Sequence, residues 1–373
     1  MTKLRVEILE TLAEVDAAAW NALALGHPFL RHEFLHALHE TKCACADTGW
    51  EPRFVTAWEG RQLVGALPLY LKSHSRGEYV FDWAWADAYE RHGMRYYPKL
   101  LAAIPFSPVS APKILAATDA IRTLLADTAL ELAKQVSSLH ILFPTETEQT
   151  LLADRSMMIR RGVQFHWTNE QYRDFDDFLS RLSHDKRKKI KQERRKVRDA
   201  GVTFERKTGA DISAADWVFF NKCYRTTYRE HHSSPYLNLP FFERLGATMP
   251  ENMLLIIASR EGARIASALN IFTPEILYGR YWGTLEFHSA LHFEACYYQA
   301  LEFCIERGIR TFEGGAQGEH KLARGFLPVE IRSAHWLKRP EFSDAVEKFL
   351  EREAAGIHNY IDELTEHSPF KRL

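Results

Sequence analysis

ILYGRYWGTLEFHSALHFEACYYQALEFCIERGIRTFEGGAQGEHKLARGF, residues 276–326, is the stretch whose pattern decides the fold of this chain. Its first residues, Ile276 to Trp282, have the β-branched and aromatic content of a strand. His292 to Glu306 reads as a helix, with Cys296, Gln299, Ala300 and Phe303 along one face. Thr311 to Glu313 is a second short strand and runs directly into Gly314-Gly315-Ala316-Gln317-Gly318. Glu319, His320, Lys321 and Arg324 follow, and then a final strand from Ile331 to Leu337.

Strand, helix, strand, glycine-rich turn and final strand is the core order of the N-acyltransferase fold. There two parallel strands splay apart and the reacting acyl group lies in the gap. Paired glycines at a strand end let backbone amides and substrate approach closely; taken alone they make only a tight turn. The polar residues around them add the chemistry. His292, Glu294, Glu313, Glu319, His320, Lys321 and Arg324 all flank the expected helix start and strand end. Acyl transfer to an amine needs a route for the amine proton, charge stabilisation for the tetrahedral intermediate, and a hold on the donor. Glu313 or His320 is the candidate proton acceptor, and Lys321 and Arg324 are candidates for holding anionic groups. Gly314, Gly315, His292, Glu294 and Tyr281 complete the candidate binding set. His292, Glu294 and His320 are also metal-capable donors, but no tight motif such as HExxH is present, and no metal is expected.

Working outward, the two halves share an outline, a helix followed by a β-meander. Leu4 to Leu9 reads as a strand, Arg31 to Thr41 as a helix, and Phe54–Trp58 and Leu63–Leu71 as β-runs split by Glu59-Gly60. Tyr79 to Pro112 is dense in aromatic residues and broken by Pro98, Pro105, Pro108 and Pro112, which excludes a long helix. Those rings suit a core more than a groove, because large aromatics are mostly buried. Ala117 to Val136 reads as a helix and Leu139–Phe143 as the strand after it. In the second half, a helix around Trp217–Tyr228 precedes Met253–Ser259, the turn Glu261-Gly262, and Ile265–Phe272. The duplication rests on element order, and it gives an N-terminal half over 1–168 and a C-terminal half over 169–373. The expected class is α/β (α+β), each half a mixed central sheet flanked by helices.

Between Lys186 and Arg198 stand nine Lys or Arg residues, with Glu193 the only acid. Lys188, Lys191, Arg195 and Arg198 recur at three-and-four spacing, so a helix here repels itself unless an anion lies against it. A solvated helix joining the halves and an anion- or RNA-binding helix both fit this run.

The totals bound the rest. At 373 residues two domains are expected. A hydrophobic content of 46% and a charged content of 26% are those of a soluble globular chain. A net charge of -1 leaves polyanion binding to a local patch. Cys43, Cys45, Cys223, Cys296 and Cys304 are too few and too scattered for a disulfide framework and read as free thiols in a reducing cytosol. The charged N-terminus has no signal-peptide core, and runs such as Met253 to Ala258 are strand-sized, so the expected location is cytoplasmic, without membrane insertion.

FEGGAQGEHKLARGFLPVEIRSAHW, Phe312 to Trp336, resembles the C-terminal signature of FemAB-like proteins of the GNAT superfamily. Its glycine turn, basic residues and "GF" fall at Gly314, Gly315, Lys321, Arg324, Gly325 and Phe326. Leu291 to Gly308 resembles the helix between the splayed strands, Pro28 to Leu38 an early family helix, and Phe178 to Val197 the helix ahead of the second half. Glu78 to Val109 is similar to a bacterial branch of the family. The resemblance implies tandem GNAT-like domains and an amide-forming transferase with no bound cofactor, taking aminoacyl-tRNA or acyl-CoA as co-substrate. It further implies an amine acceptor such as a peptidoglycan precursor. By the same resemblance Asp82, Asp87, Tyr96 and Lys99 are candidates for acceptor binding.

The acyl-CoA pyrophosphate turn of CoA-using relatives does not appear. Phe287 to Glu294 reads FHSALHFE and has no glycine, so backbone amides at the helix start cannot be approached closely. That favours a non-CoA donor, with the basic helix suited to tRNA phosphates. An acyl-CoA-dependent N-acetyltransferase and a non-catalytic peptidoglycan-recognition protein are the alternatives.

Overall fold

A computed structural model describes residues 3–315 and 318–371. The chain forms two compact units, one of residues 1–162 and 330–359, the other of 163–329 and 360–373. The expected boundary at 168/169 falls just past the first crossing. Residues 330–359, expected in the second half, belong to the first unit. Among the described residues no helix is long and apolar enough to cross a membrane.

In the first unit Leu4–Leu9, Phe54–Glu59, Gln62–Leu67 and Leu115–Ala116 pair antiparallel in that order. A second set begins with Trp50–Pro52 against Tyr70–Lys72, which pairs in turn with Lys99–Ala102. Lys99–Ala102 runs parallel to Ser138–Leu142, joined through the helix Asp119–Ala133. Thr118 caps that helix through Ile121 N–H, and Ile121, Leu125, Ala126 and Ala129 turn one face into the core. Beyond the parallel pair the strand ends are tied together. Ala111 N–H donates to Phe143 O, and the buried Lys113 ammonium donates to Val109 O, Ala111 O and Phe143 O at 2.9–3.3 Å.

The aromatic segment divides between core and surface. Trp85, Tyr89, Tyr96 and Phe106 are buried, while Tyr79, Phe81 and Trp83 are exposed. Beneath it lies a buried ionic cluster. Lys99 Nζ donates to Ser75 Oγ and Glu78 Oε2, each at 2.8 Å, and to Asp82. Tyr96 O–H donates to Asp82 Oδ2 at 2.7 Å and sits 3.0 Å from His140 Nε2. His140 Nδ1 meets His335 Nδ1 at 2.7 Å. Burial pushes Lys72 down to about 7 and Glu78 up to about 7. Burial also opposes the charge of Asp82, but the Lys99 ammonium outweighs it and holds that carboxyl well below its usual range. Asp82, Tyr96 and Lys99 are thus buried and bonded to one another, and Asp87 stands apart on an exposed helix face. Of the four residues expected to bind the acceptor, three therefore lie in this cluster and one on the surface.

The second unit is one mixed sheet, ordered Val202–Thr208, Met253–Arg260, Ala263–Phe272, Ile276–Thr284, Thr311–Glu313 and the end of Met158–Thr168. Every pairing is antiparallel except that of Ile276–Thr284 with Thr311–Glu313. Helix residues Tyr297, Tyr298, Leu301 and Phe303 pack on one face against Leu277, Phe312, Phe165 and Trp167. The basic run is the helix His184–Asp199, which buries Ile190, Glu193 and Val197.

Removing the Lys99 ammonium takes the nearest cation from the buried Glu78 and Asp82 carboxylates, a defect that costs about 3–5 kcal/mol. Lys99→Met is therefore expected to move the urea unfolding transition of the first unit to clearly lower denaturant. An unmoved transition would show that the cluster carries no charge when folded.

Candidate functional site

Three residue pairs, Ile276/Thr311, Leu277/Phe312 and Tyr278/Glu313, make the whole parallel pairing. Past them the strands part because each keeps a different partner. Gly314 N–H donates to Phe165 O at 2.9 Å and Phe165 N–H to Gly315 O at 3.1 Å, which carries this strand away with 163–168. Ile276–Thr284 instead stays on Ala263–Phe272 out to Thr284. That second pairing contains a bulge. Leu269 faces Tyr281 and Asn270 faces Gly279, so Arg280 is the extra residue. The expected splay is present.

The gap holds a cavity of about 110 Å³ lined by Asn270, Gly279, Tyr281, Trp282, His292 and Gly314, among others. Two glycines are required by close approach. A Cβ on Gly279 would lie 3.0 Å from the Phe312 ring, and one on Gly314 would lie 3.0 Å from both Phe165 O and Phe326 Cδ1. The far wall is the helix over 291–307, which carries a π-helical segment at Glu294–Tyr298. Such wide turns recur at functional sites, and this one brings Cys296 and Tyr297 to the cavity.

The titratable groups leave the gap electropositive. Burial, then the charges of His320, Arg324 and Lys321, hold His292 down to about 4. Burial, then Arg280 and Lys321, does the same for His166, also to about 4. Burial and the Arg280 charge bring Lys321 down to about 8. Lys321 Nζ donates to Gly315 O at 3.3 Å, across a turn in which Gly315 has φ 81°. His320 is exposed; its Nε2 lies 3.2 Å from Tyr297 Oη, and burial and Arg324 lower its pKa.

The sequence candidates thus fall into groups. Tyr281, His292 and Gly314 line the cavity, with Gly315, His320 and Lys321 beside it. Glu313 is buried on its strand, opposite His166 in register. Glu294 turns away to Arg194, whose Nη2 donates to it at 3.0 Å, so His292, Glu294 and His320 do not converge as a metal set. Arg324 is buried, donates from Nη2 to both Glu193 oxygens at 2.8 Å, and lies 3.4 Å over the Phe293 ring. Its Nη1 donates to His320 O, and its buried Nε has no hydrogen-bond partner among the described residues. Ala316 and Gln317 lie outside the described residues, as does the side chain of Glu319. Lys188, Lys191, Arg195 and Arg198 are exposed, and Lys191 pairs with Asp176 at 3.3 Å.

Asn270, Arg280, Trp282 and Tyr297 were not legible as site residues. Asn270 is 2% exposed, and its Nδ2 has no hydrogen-bond partner among the described residues. Its one mark in the sequence was a polar residue in the apolar end of its strand, Ala268–Phe272.

A held-down histidine has a signed effect on stability. Between pH 6.5 and 4 the unfolded chain binds the proton that folded His292 refuses, so stability falls as pH falls through that window. His292→Gln is expected to flatten the acid dependence of unfolding by up to about 1.4 kcal/mol per pH unit. Parallel pH profiles for the two proteins would place the proton elsewhere.

The FemAB-like family, described as peptidoglycan biosynthesis/recognition, matches residues 11–372. A comparison with curated protein sequences gives no match. Among solved structures, FemX is 13% identical over 90% of this chain and 98% of its own, with a TM-score of 0.55. L-PGS from Bacillus licheniformis is 11% identical over 80% of this chain and 89% of its own, with a TM-score of 0.50. At such identities the likeness is one of fold: mixed α/β, in the tandem arrangement that the element order implies.

Proposed function

We propose, on the premise that this chain belongs to the FemAB-like family of acyltransferases, that it moves an aminoacyl group from an RNA-borne ester to the amine of a peptidoglycan precursor. The observation that carries this reading is the start of the helix beside the gap. Leu291 N–H is already taken by His288 O at 3.2 Å, and Ala290 is left-handed at φ 68°. Phe293 packs there against His320, with ring centroids 5.7 Å apart, and Arg324 covers its other side. A pyrophosphate needs free amides at a helix N-terminus and room to reach them. At this helix start one amide is already bonded and the Phe293, His320 and Arg324 side chains crowd the approach to the others, whereas an ester donor needs only the gap.

In the reaction the acceptor nitrogen attacks the ester carbonyl carbon. A C–N bond forms, the C–O bond to the ribose breaks, and the proton lost by the amine ends on the departing ribose oxygen, which leaves as a hydroxyl. Arg280 and Lys321 place positive charge where the oxyanion develops. Asn270 Nδ2 offers a donor to the acyl carbonyl. Of the two candidate proton acceptors, geometry favours His320, which is neutral near pH 7 and joined to the cavity wall through Tyr297.

His320→Gln is expected to lower kcat by about a hundredfold or more, and Glu313→Gln by less. The reverse order would move the base to Glu313. The donor is tested by titrating acetyl-CoA and charged tRNA side by side at low and moderate salt. Salt-sensitive tRNA binding without saturable CoA binding is expected; CoA binding alone would overturn the reading.

A further inference from the structure

The helix Ala214–Glu230 is pinned to the strand that walls the acyl gap. A Cβ on Gly283 would lie 2.0 Å from Cys223 O, so helix and strand touch through backbone. Thr227 Oγ1 donates to Trp282 O at 2.9 Å, and the Tyr224 and Tyr281 ring centroids are 5.4 Å apart.

The outward face of the same helix carries Val218, Lys222, Arg225 and Arg229, four exposed positions forming one stripe. With His232, the serines after it and Leu285, this stripe walls an open groove of about 770 Å³. Its lining holds three permanent cations and no carboxylate. Among the described residues none of Lys222, Arg225, Arg229 and His232 makes an ion pair, and Arg229 Nη2 donates only to Thr226 Oγ1, at 3.3 Å. Like charges three and four residues apart repel, and a bound anion relieves that repulsion.

The groove beside the basic helix His184–Asp199 is larger, about 1030 Å³, but it is neutralised from within. Lys191 pairs with Asp176, and Arg194 with Glu294 and Glu302. Asp174 and Glu306 line it as well. The denser run of basic residues in the sequence therefore walls the less cationic groove.

We propose that the groove along Lys222, Arg225 and Arg229 holds the sugar-phosphate backbone of the donor RNA while its acylated end enters the cavity beside Tyr281 and Trp282. The inference rests on the RNA-borne ester proposed above. Hydroxyl and amide groups of Asn221, Ser233 and Ser234 suit phosphate oxygens, and no Phe, Tyr or Trp ring lines the groove to stack a base. Contact is thus with backbone and independent of sequence.

The test is binding of bulk deacylated tRNA, followed by fluorescence anisotropy from about 50 to 200 mM salt. It compares the unaltered protein, the triple variant Lys222→Gln/Arg225→Gln/Arg229→Gln, and the quadruple variant Lys188→Gln/Lys191→Gln/Arg195→Gln/Arg198→Gln. The triple variant is expected to lose at least about tenfold in affinity at low salt, and its slope of log K on log salt to shrink by about 2, three charges at ~0.7 each. The quadruple variant should change less. Should the triple variant unfold early, Arg225→Gln alone should shrink the slope by about 0.7. If the groove variants bind like the unaltered protein, the groove is not the RNA site, while the donor reading stands. If the unaltered protein binds no tRNA at low salt, the donor reading fails and this site fails with it.

Discussion

Everything at the candidate site depends on a β-pairing that stops after three residues. Parallel strands held along their full length leave no room between them, because neighbouring strands lie about 4.8 Å apart. Here Ile276–Thr284 is bound on its other edge to Ala263–Phe272, and Thr311–Glu313 to the end of Met158–Thr168. Each strand keeps its outer-edge hydrogen bonds with another neighbour, so both stay anchored in the sheet where they separate beyond Tyr278 and Glu313. The bulge at Arg280 and the close packing at Gly279 and Gly314 then shape what the separation opens.

The first unit repeats the parallel pair but not its consequence. Lys99–Ala102 and Ser138–Leu142 pair over Leu100/Leu139, Leu101/His140 and Ala102/Ile141, and the chain beyond is drawn together through Phe143 and Lys113. A buried ammonium with three carbonyl partners is satisfied and has little reason to leave. The cluster of Lys99, Glu78 and Asp82 likewise spends its charge on holding its own segment. The same element order thus gives one unit with a gap and one with its strand ends closed, and this member of the FemAB-like family carries its candidate chemistry in the second.

Charge follows the same division between what is spent and what is offered. Glu193 and Arg324 bind each other in the interior, so two residues of the polar and basic stretches act as a brace between the helix His184–Asp199 and the segment after the glycine turn. Arg194 is consumed by Glu294 and Glu302. Among the described residues Lys321 donates to a carbonyl alone, and Lys222, Arg225 and Arg229 pair with no carboxylate.

The sequence by itself determined the element order, the splayed strands and the family, because strand and helix periods, glycine pairs and the Phe312–Trp336 signature are local properties. It also located Tyr281, His292 and Gly314 at the cavity. Tertiary structure alone decided which polar residues are free to act. Arg324 and Lys321 read alike in the sequence, yet one meets Glu193, distant along the chain, and the other, among the described residues, donates to Gly315 O. Asn270 became a candidate because a bulge set it opposite Gly279. The return of residues 330–359 to the first unit was equally hidden. Whether a charge is spent depends on a partner brought close by folding, and spacing along a single chain carries no record of that partner.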